Sequence, residues 1–206
     1  MAEWVELTEV ERDALREVAN IGAGHAATAL SQMTDRVIMI SVPEVTVRRL
    51  DQVAELVGPA DTVVVAVSMR LLGDLTGQAM VILPLGAART LCDLLLGRNR
   101  GDTGSFGPME ESSIKETGNI LTSAYLTALS EFLGMMLIPS IPSMATEYAG
   151  ALLTSAHLSA DPDRDVVFCV DTAFRVEGAP EILNGEFLLL PDSASLTAIF
   201  EAIRLG

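Results

Sequence analysis

The feature that most constrains the fold of this chain is that it repeats itself at an offset of 99 residues. Arg16-Glu17 stands opposite Lys115-Glu116, Asn20-Ile21 opposite Asn119-Ile120, and Thr28-Ala29-Leu30-Ser31 returns letter for letter as Thr127-Ala128-Leu129-Ser130. Pro43 falls opposite Pro142. Further on, Gly77 to Pro84 is similar to Gly185 to Pro191 with one residue deleted, and each is followed by an amphipathic segment, Gly86 to Leu96 and Ser193 to Leu205. A unit of about 100 residues that presents a sheet face needs a partner to cover it, and a duplicated pair can bury those faces against each other. The expectation is an α+β fold with pseudo-twofold symmetry. It is one domain made of two helix-strands-helix units, about residues 8–97 and 107–206, joined by the glycine-rich, aperiodic linker 98–107, with two long helices on one face.

Local signals support that division. Thr8 followed by Glu11 forms a capping box, in which side chains satisfy two backbone donors that the first helical turn leaves open. The second long helix starts at Gly107-Pro108, where the fixed φ of proline suits the first helical position, and the acids at 110 and 111 suit the helix dipole. Strands are expected over 36–42, 45–50, 62–69 and 78–83, then over 136–141, 147–154, 166–176 and 186–190. Gly97 and Gly206 lie where helix C-termini need a left-handed residue.

Composition narrows the function classes. The chain has 28 acids against 13 bases, a formal charge of -15, and Lys115 is the sole lysine. Such a chain offers no electrostatic footprint for a nucleic-acid backbone or an anionic membrane. Half of its residues are hydrophobic, enough to bury roughly 70% of the unfolded surface, so the charge is not a mark of disorder. No apolar run approaches the about 18 residues of a membrane span. The first seven residues carry two glutamates and no base, unlike a signal peptide. Two lone cysteines, Cys92 and Cys169, read as buried small hydrophobes in a reducing compartment. These observations point to a cytoplasmic protein. Its acid-rich, lysine-poor surface also fits solvation at high salt, where screening tames mutual repulsion.

On a helix, at about 100° per residue, positions i, i+4 and i+7 share an arc of about 60°. Asp13, Glu17 and Asn20 have this spacing in the first copy, and Ser112, Glu116 and Asn119 in the second. Leu15, Val18, Gly22, Ala26, Ala29 and Met33 cover the other side of the first helix; Ile114, Leu121, Tyr125, Ala128 and Phe132 do so on its counterpart. Asparagine is a poor choice for an ordinary exposed helix site. The next stripe position is small in both copies, Gly24 and Ser123, which leaves room for another protein. A carboxamide is neither nucleophile nor base, but its oxygen can accept from a water and its nitrogen can donate to an oxyanion. Orienting an attacking water in this way serves phosphoryl transfer when a metal and a cation already stabilise the transition state. Such a site is incomplete alone, and the substrate protein must bring the rest.

D-x-x-x-E-x-x-N at Asp13 to Asn20, followed by Ile-Gly-Ala-Gly-His-Ala-Ala-Thr-Ala, and S-x-x-x-E-x-x-N at Ser112 to Asn119 resemble the paired signature of the CheC family of chemotaxis phosphatases. The resemblance runs from about residue 8 to the last helix. It implies hydrolysis of the aspartyl phosphate of the response regulator CheY. Asn20 and Asn119 are then expected to orient water, Glu17 and Glu116 to pair with the regulator's lysine, and Asp13 and Ser112 to be accessory. It implies no intrinsic cofactor, the Mg²⁺ belonging to the regulator, and a CheD-like deamidase as a further partner. A non-catalytic adaptor that binds CheD or motor-switch components is the alternative.

Other chemistries find less support. The Gly-Ala-Gly run is not a dinucleotide loop, because a capped, charged, helix-periodic segment precedes it where a strand is required; close helix packing accounts for it instead. His25 and His157 are far apart, with no clustered cysteines to make a metal site. No G-x-S-x-G elbow marks a hydrolase.

Overall fold

The computed structural model describes residues 7–42, 44–159, 166–177 and 182–205. Residues 1–6, Pro43 and Gly206, on which sequence expectations fell, lie outside the described residues, as does the side chain of His157. The chain runs α1 (Glu9–Thr34), β1 (Ile38–Ser41), β2 (Val45–Arg49), α2 (Leu50–Val57), β3 (Val63–Gly73), β4 (Gly77–Pro84) and α3 (Leu85–Leu95). It then repeats as α4 (Pro108–Leu133), β5 (Leu137–Pro139), β6 (Ser143–Tyr148), α5 (Ala149–Ser159), β7 (Val166–Val176), β8 (Ile182–Pro191) and α6 (Ser193–Leu205). The helices α1 and α4 each span 26 residues.

The strands form one antiparallel sheet in the order β1-β7-β8-β4-β3-β5, with β2 also on β7 and β6 also on β3. The order is palindromic about the central ladder of β4 with β8, where Gly77 opposes Pro191 and Ile82 opposes Glu186. Each half lends its first two strands to the long strand of the other: β1 and β2 to β7, β5 and β6 to β3. The halves were expected to bury two sheet faces against each other. Instead they merge their strands, which pairs edges that two separate small sheets would leave open.

Alternation along the strands then divides the core into two layers. Val65, Val67, Val81, Leu83, Val170 and Phe187 point to the side covered by α1, α4, α3 and α6. Val64, Ala66, Met80, Ile82, Cys169 and Leu188 point to the other side, where Val53 and Val57 of α2 and Leu152 and Leu153 of α5 cover them. Both covering helices differ from expectation. The stretch 147–154, read as a strand, is β6 only up to Tyr148 and helix from Ala149 onward, while α2 begins at Leu50, where a strand was expected to end. A short apolar run has the same pattern in either state, and the uncovered sheet face selects the helix. Met33 and Phe132, expected on the core side, are instead 44% and 39% exposed. They sit in the last turns of α1 and α4, beyond buried Leu30 in the first and beside inward-facing Leu133 in the second.

Candidate functional site

Each long helix is pinned at its start. In α1, the Thr8 N–H donates to Glu11 Oε2 at 2.6 Å and the Glu11 N–H donates to Thr8 Oγ1 at 3.3 Å, completing the capping box. In α4, Glu110 accepts from the Gly107 N–H at 2.9 Å and from Arg98 Nη1 at 2.5 Å. The Arg98 guanidinium holds the Glu110 carboxyl below its ordinary value. The linker is fastened too, because buried Asp93 accepts from the Gly101 N–H at 2.7 Å and the Thr103 N–H at 2.9 Å.

The two helices lie against each other on the sheet. A Cβ built on Gly22 would stand 2.6 Å from Tyr125 Cδ1 and 2.9 Å from its Cα, so the glycine is where the helices touch. Tyr125 is fixed in turn by a buried hydrogen bond with Thr172, 3.1 Å between oxygens, and by the Phe187 ring, 4.8 Å between centroids. The inner sides of α1 and α4 are thereby consumed by packing, and their outer sides are free to carry chemistry.

Asp13, Glu17 and Asn20 are exposed on α1; Ser112 and Glu116 are exposed on α4, and Asn119 is half-buried. Asp13 accepts from Arg16 Nη2 at 3.0 Å, an exposed pair of small energetic weight. Lys115 lies 3.4 Å from Glu111. Among the described residues, the side chains of Glu17, Asn20, Glu116 and Asn119 have no hydrogen-bond or ion-pair partner. Each copy thus presents a carboxylate and a carboxamide one turn apart, with their polar valences unspent. Neither group does hydrolysis alone, but together they offer an acceptor for a cation and an orienting amide for a water.

Cys92 and Cys169 are buried and free, and burial pushes the Cys169 thiol up to about 12, away from any reactive thiolate. His25 is exposed on α1. Among the described residues no group of three or more His, Cys, Asp or Glu could hold a metal, and no helix is long and apolar enough to cross a membrane.

Sequence reasoning passed over the apolar part of the same surface. Val10 is 78% exposed, Ile21 is 44% exposed, and Met109, the repeat equivalent of Val10, is 62% exposed. At about 100° per residue, Val10, Asp13, Glu17, Asn20, Ile21 and Gly24 share an arc of about 100°. The signal that would have found them is the recurrence, at an offset of 99, of an apolar residue on a solvent-facing stripe.

The CheC-like family matches this chain at residues 10–47 and 109–143, two segments that each contain one stripe. The chain is similar to the CheY-P phosphatase CheC of Bacillus subtilis (strain 168), with 33% identity over 199 residues covering 96% of this chain and 95% of that protein. It is also similar to the flagellar motor switch phosphatase FliY of the same organism, at 28% identity over 61% of this chain and 32% of FliY. Among solved structures, FliY of Thermotoga maritima superposes with a TM-score of 0.79 at 25% identity, covering 98% of this chain and 99% of that one.

Proposed function

The chain belongs to the CheC-like family, and from that premise we propose that it hydrolyses the aspartyl phosphate of a phosphorylated CheY-like response regulator. The observation that carries this reading is the pair of outward Glu-x-x-Asn stripes, one on each long helix, whose side chains are unengaged among the described residues. A protein named CheY-P phosphatase, similar along almost its whole length, supports it. In this reading the regulator brings its aspartyl phosphate, a bound Mg²⁺ and a lysine. Glu17 or Glu116 receives the lysine's ammonium and sets the register of docking. Asn20 or Asn119 enters beside the phosphoryl group and holds a water in line for attack, so the amide acts by positioning and needs no change of protonation. Asp13 and Ser112 are accessory, at the approach to each site. No cofactor of the chain's own is required, and the place of action is the cytoplasm, where response regulators work. A CheD-like deamidase is a second partner in this proposal.

The experiment follows phosphate loss from a phosphorylated receiver domain with Mg²⁺ in the presence of wild type, Asn20→Ala, Asn119→Ala and the double variant. Loss of one positioned water is expected to cost roughly 100-fold or more once both amides are gone, with the single variants each retaining the share of the intact site. Equal rates for all four proteins would end the catalytic reading and leave the chain a docking adaptor.

A further inference from the structure

Two glycines, Gly22 and Gly24, stand two residues apart in the middle of α1, and the fold needs one of them. Gly22 is filled against Tyr125. Gly24 is exposed, has no left-handed φ, and a Cβ built on it meets nothing within 4 Å. In a helix interior glycine is the poorest former after proline, so the chain carries a local penalty at Gly24 from which its own packing gains nothing. The place of this glycine is specific: it follows Asn20 by one turn, about 6 Å along the axis, on the same arc as Glu17, Ile21 and Val10. Those neighbours make the surface amphipathic. Exposed carboxylates match a lysine, and exposed Ile21 and Val10 match an apolar rim.

We infer that Gly24 is the close-approach point at which the receiver domain seats against α1, a positioning residue that lets the Asn20 amide reach the phosphoryl group. This rests on the phosphatase reading above and adds to it the surface on which the substrate protein lies. A missing side chain at Gly24 lets the partner's backbone come nearer to the helix axis by about the width of a methyl group. An amide side chain is short, so that difference decides whether it reaches. The second copy has half-buried Ser123 at the equivalent place, and its neighbour Ile120 is half-buried where Ile21 is exposed. The first site is accordingly the more open of the two, and the two sites do not admit the partner equally.

The test is made in the Asn119→Ala background, where only the first site acts, with Gly24→Ala, Gly24→Leu and Gly22→Ala. Gly24→Ala is expected to raise the melting temperature by a few degrees while raising KM for the phosphorylated receiver several-fold. Gly24→Leu, still folded, is expected to lose 30-fold or more in kcat/KM, with the effect mainly in KM. Binding of a receiver loaded with beryllofluoride and Mg²⁺, a phosphate mimic, is measured in parallel on an Asn20→Ala/Asn119→Ala protein that also carries Glu116→Ala to disable docking at the second site, with and without Gly24→Leu, so that docking at the first site is read without turnover. Weakening of that binding by tenfold or more supports the assignment. Unchanged KM and unchanged mimic binding in Gly24→Leu overturn it while leaving the phosphatase reading intact. Rates insensitive to both asparagines, together with no binding of the mimic by the wild type, overturn the reading beneath it. Gly22→Ala separates fold from docking: it is expected to lower the melting temperature, and a Gly24→Leu protein that melts as low as Gly22→Ala would mark Gly24 as structural and overturn the inference.

Discussion

On their outer sides the two long helices both keep Glu-x-x-Asn, and at their mutual contact they differ in side-chain size. Positions 22 and 121 are repeat equivalents, as are 26 and 125. At these places α1 carries Gly22 and Ala26, and α4 carries Leu121 and Tyr125, all buried. The helices pack together about the pseudo-axis, so residues of one equivalent set meet those of the other. Two large residues would collide there and two small ones would leave a void, because interiors are packed to crystal density. Small therefore meets large. On the outer side no such conflict exists, and Glu-x-x-Asn is kept in both copies. The repeat is kept at the outward Glu-x-x-Asn stripes and broken where the copies meet each other.

The largest effect expected from disturbing this arrangement comes at Gly22. Gly22→Ala would gain helix propensity of about 1 kcal/mol, yet its methyl would sit 2.9 Å from the Tyr125 Cα, a backbone atom that cannot rotate away. A net destabilisation of about 2–3 kcal/mol is expected, read from urea or thermal unfolding. A variant as stable as the wild type would break the argument that the small-on-large contact is what forces the copies apart in sequence.

A second difference lies on the opposite face of the sheet. Val45 pairs with Val170 and its repeat equivalent Met144 pairs with Val67, so the strand registers, which shift the sequence alignment of Gly77 with Gly185 by two residues, make Ser68 opposite Met80 the counterpart of Asp171 opposite Glu186. Burial, and next the charge and hydrogen bond of Asp171, push the Glu186 carboxyl up to about 8 from its ordinary value of 4.5, against the pull of Arg48 and with a further push from Glu44. One oxygen of Glu186 is buried with no partner among the described residues. The sign follows from proton binding. Between pH 4.5 and 8 the folded chain keeps a proton that the unfolded chain has released, so this pair's contribution to stability declines as pH rises through that window. Replacing the pair by its counterpart, Asp171→Ser with Glu186→Met, is expected to flatten the decline between pH 5 and 9, by an amount of order 1–2 kcal/mol after allowance for partial exposure. Parallel pH curves for the two proteins would show that the acidic rung is electrostatically silent.

These contrasts also mark what was legible in the sequence. Both long helices could be placed from Thr8, Glu11 and Gly107-Pro108, because caps are local chemistry, and β7 could be placed to the residue because its alternation is long. The interleaving of strands was not legible. Val45 and Met144 carry no local mark of which half's long strand they will join, and only the closing of the whole sheet decides it. The helix α5 was misread for a related reason: Ala149, Leu152 and Leu153 become one face of a helix when a sheet face lacks cover, and nothing within ten residues says so. The stripes were visible as spacing, and the unequal exposure of Asn20 and Asn119 was not, because it depends on what surrounds each helix in three dimensions.

The smallest expected effect is at the ends of the same two helices. Both close in the left-handed region, α4 at Gly134 with φ 66° and α1 at Asp35 with φ 53°. Among the described residues Asp35 is the one non-glycine residue with positive φ. Aspartate tolerates that region better than most side chains, yet its Cβ still crowds the following carbonyl, a strain glycine does not have. Against this, glycine loses more backbone freedom on folding. The balance favours glycine at a left-handed cap, so Asp35→Gly should stabilise by about 0.5–1 kcal/mol, and Gly134→Asp should destabilise by about as much. Differential scanning calorimetry of the two variants checks both signs. If Asp35→Gly instead destabilises, the aspartate side chain contributes to the end of α1 something its equivalent does without, and the two caps, alike in backbone, would differ in what holds them.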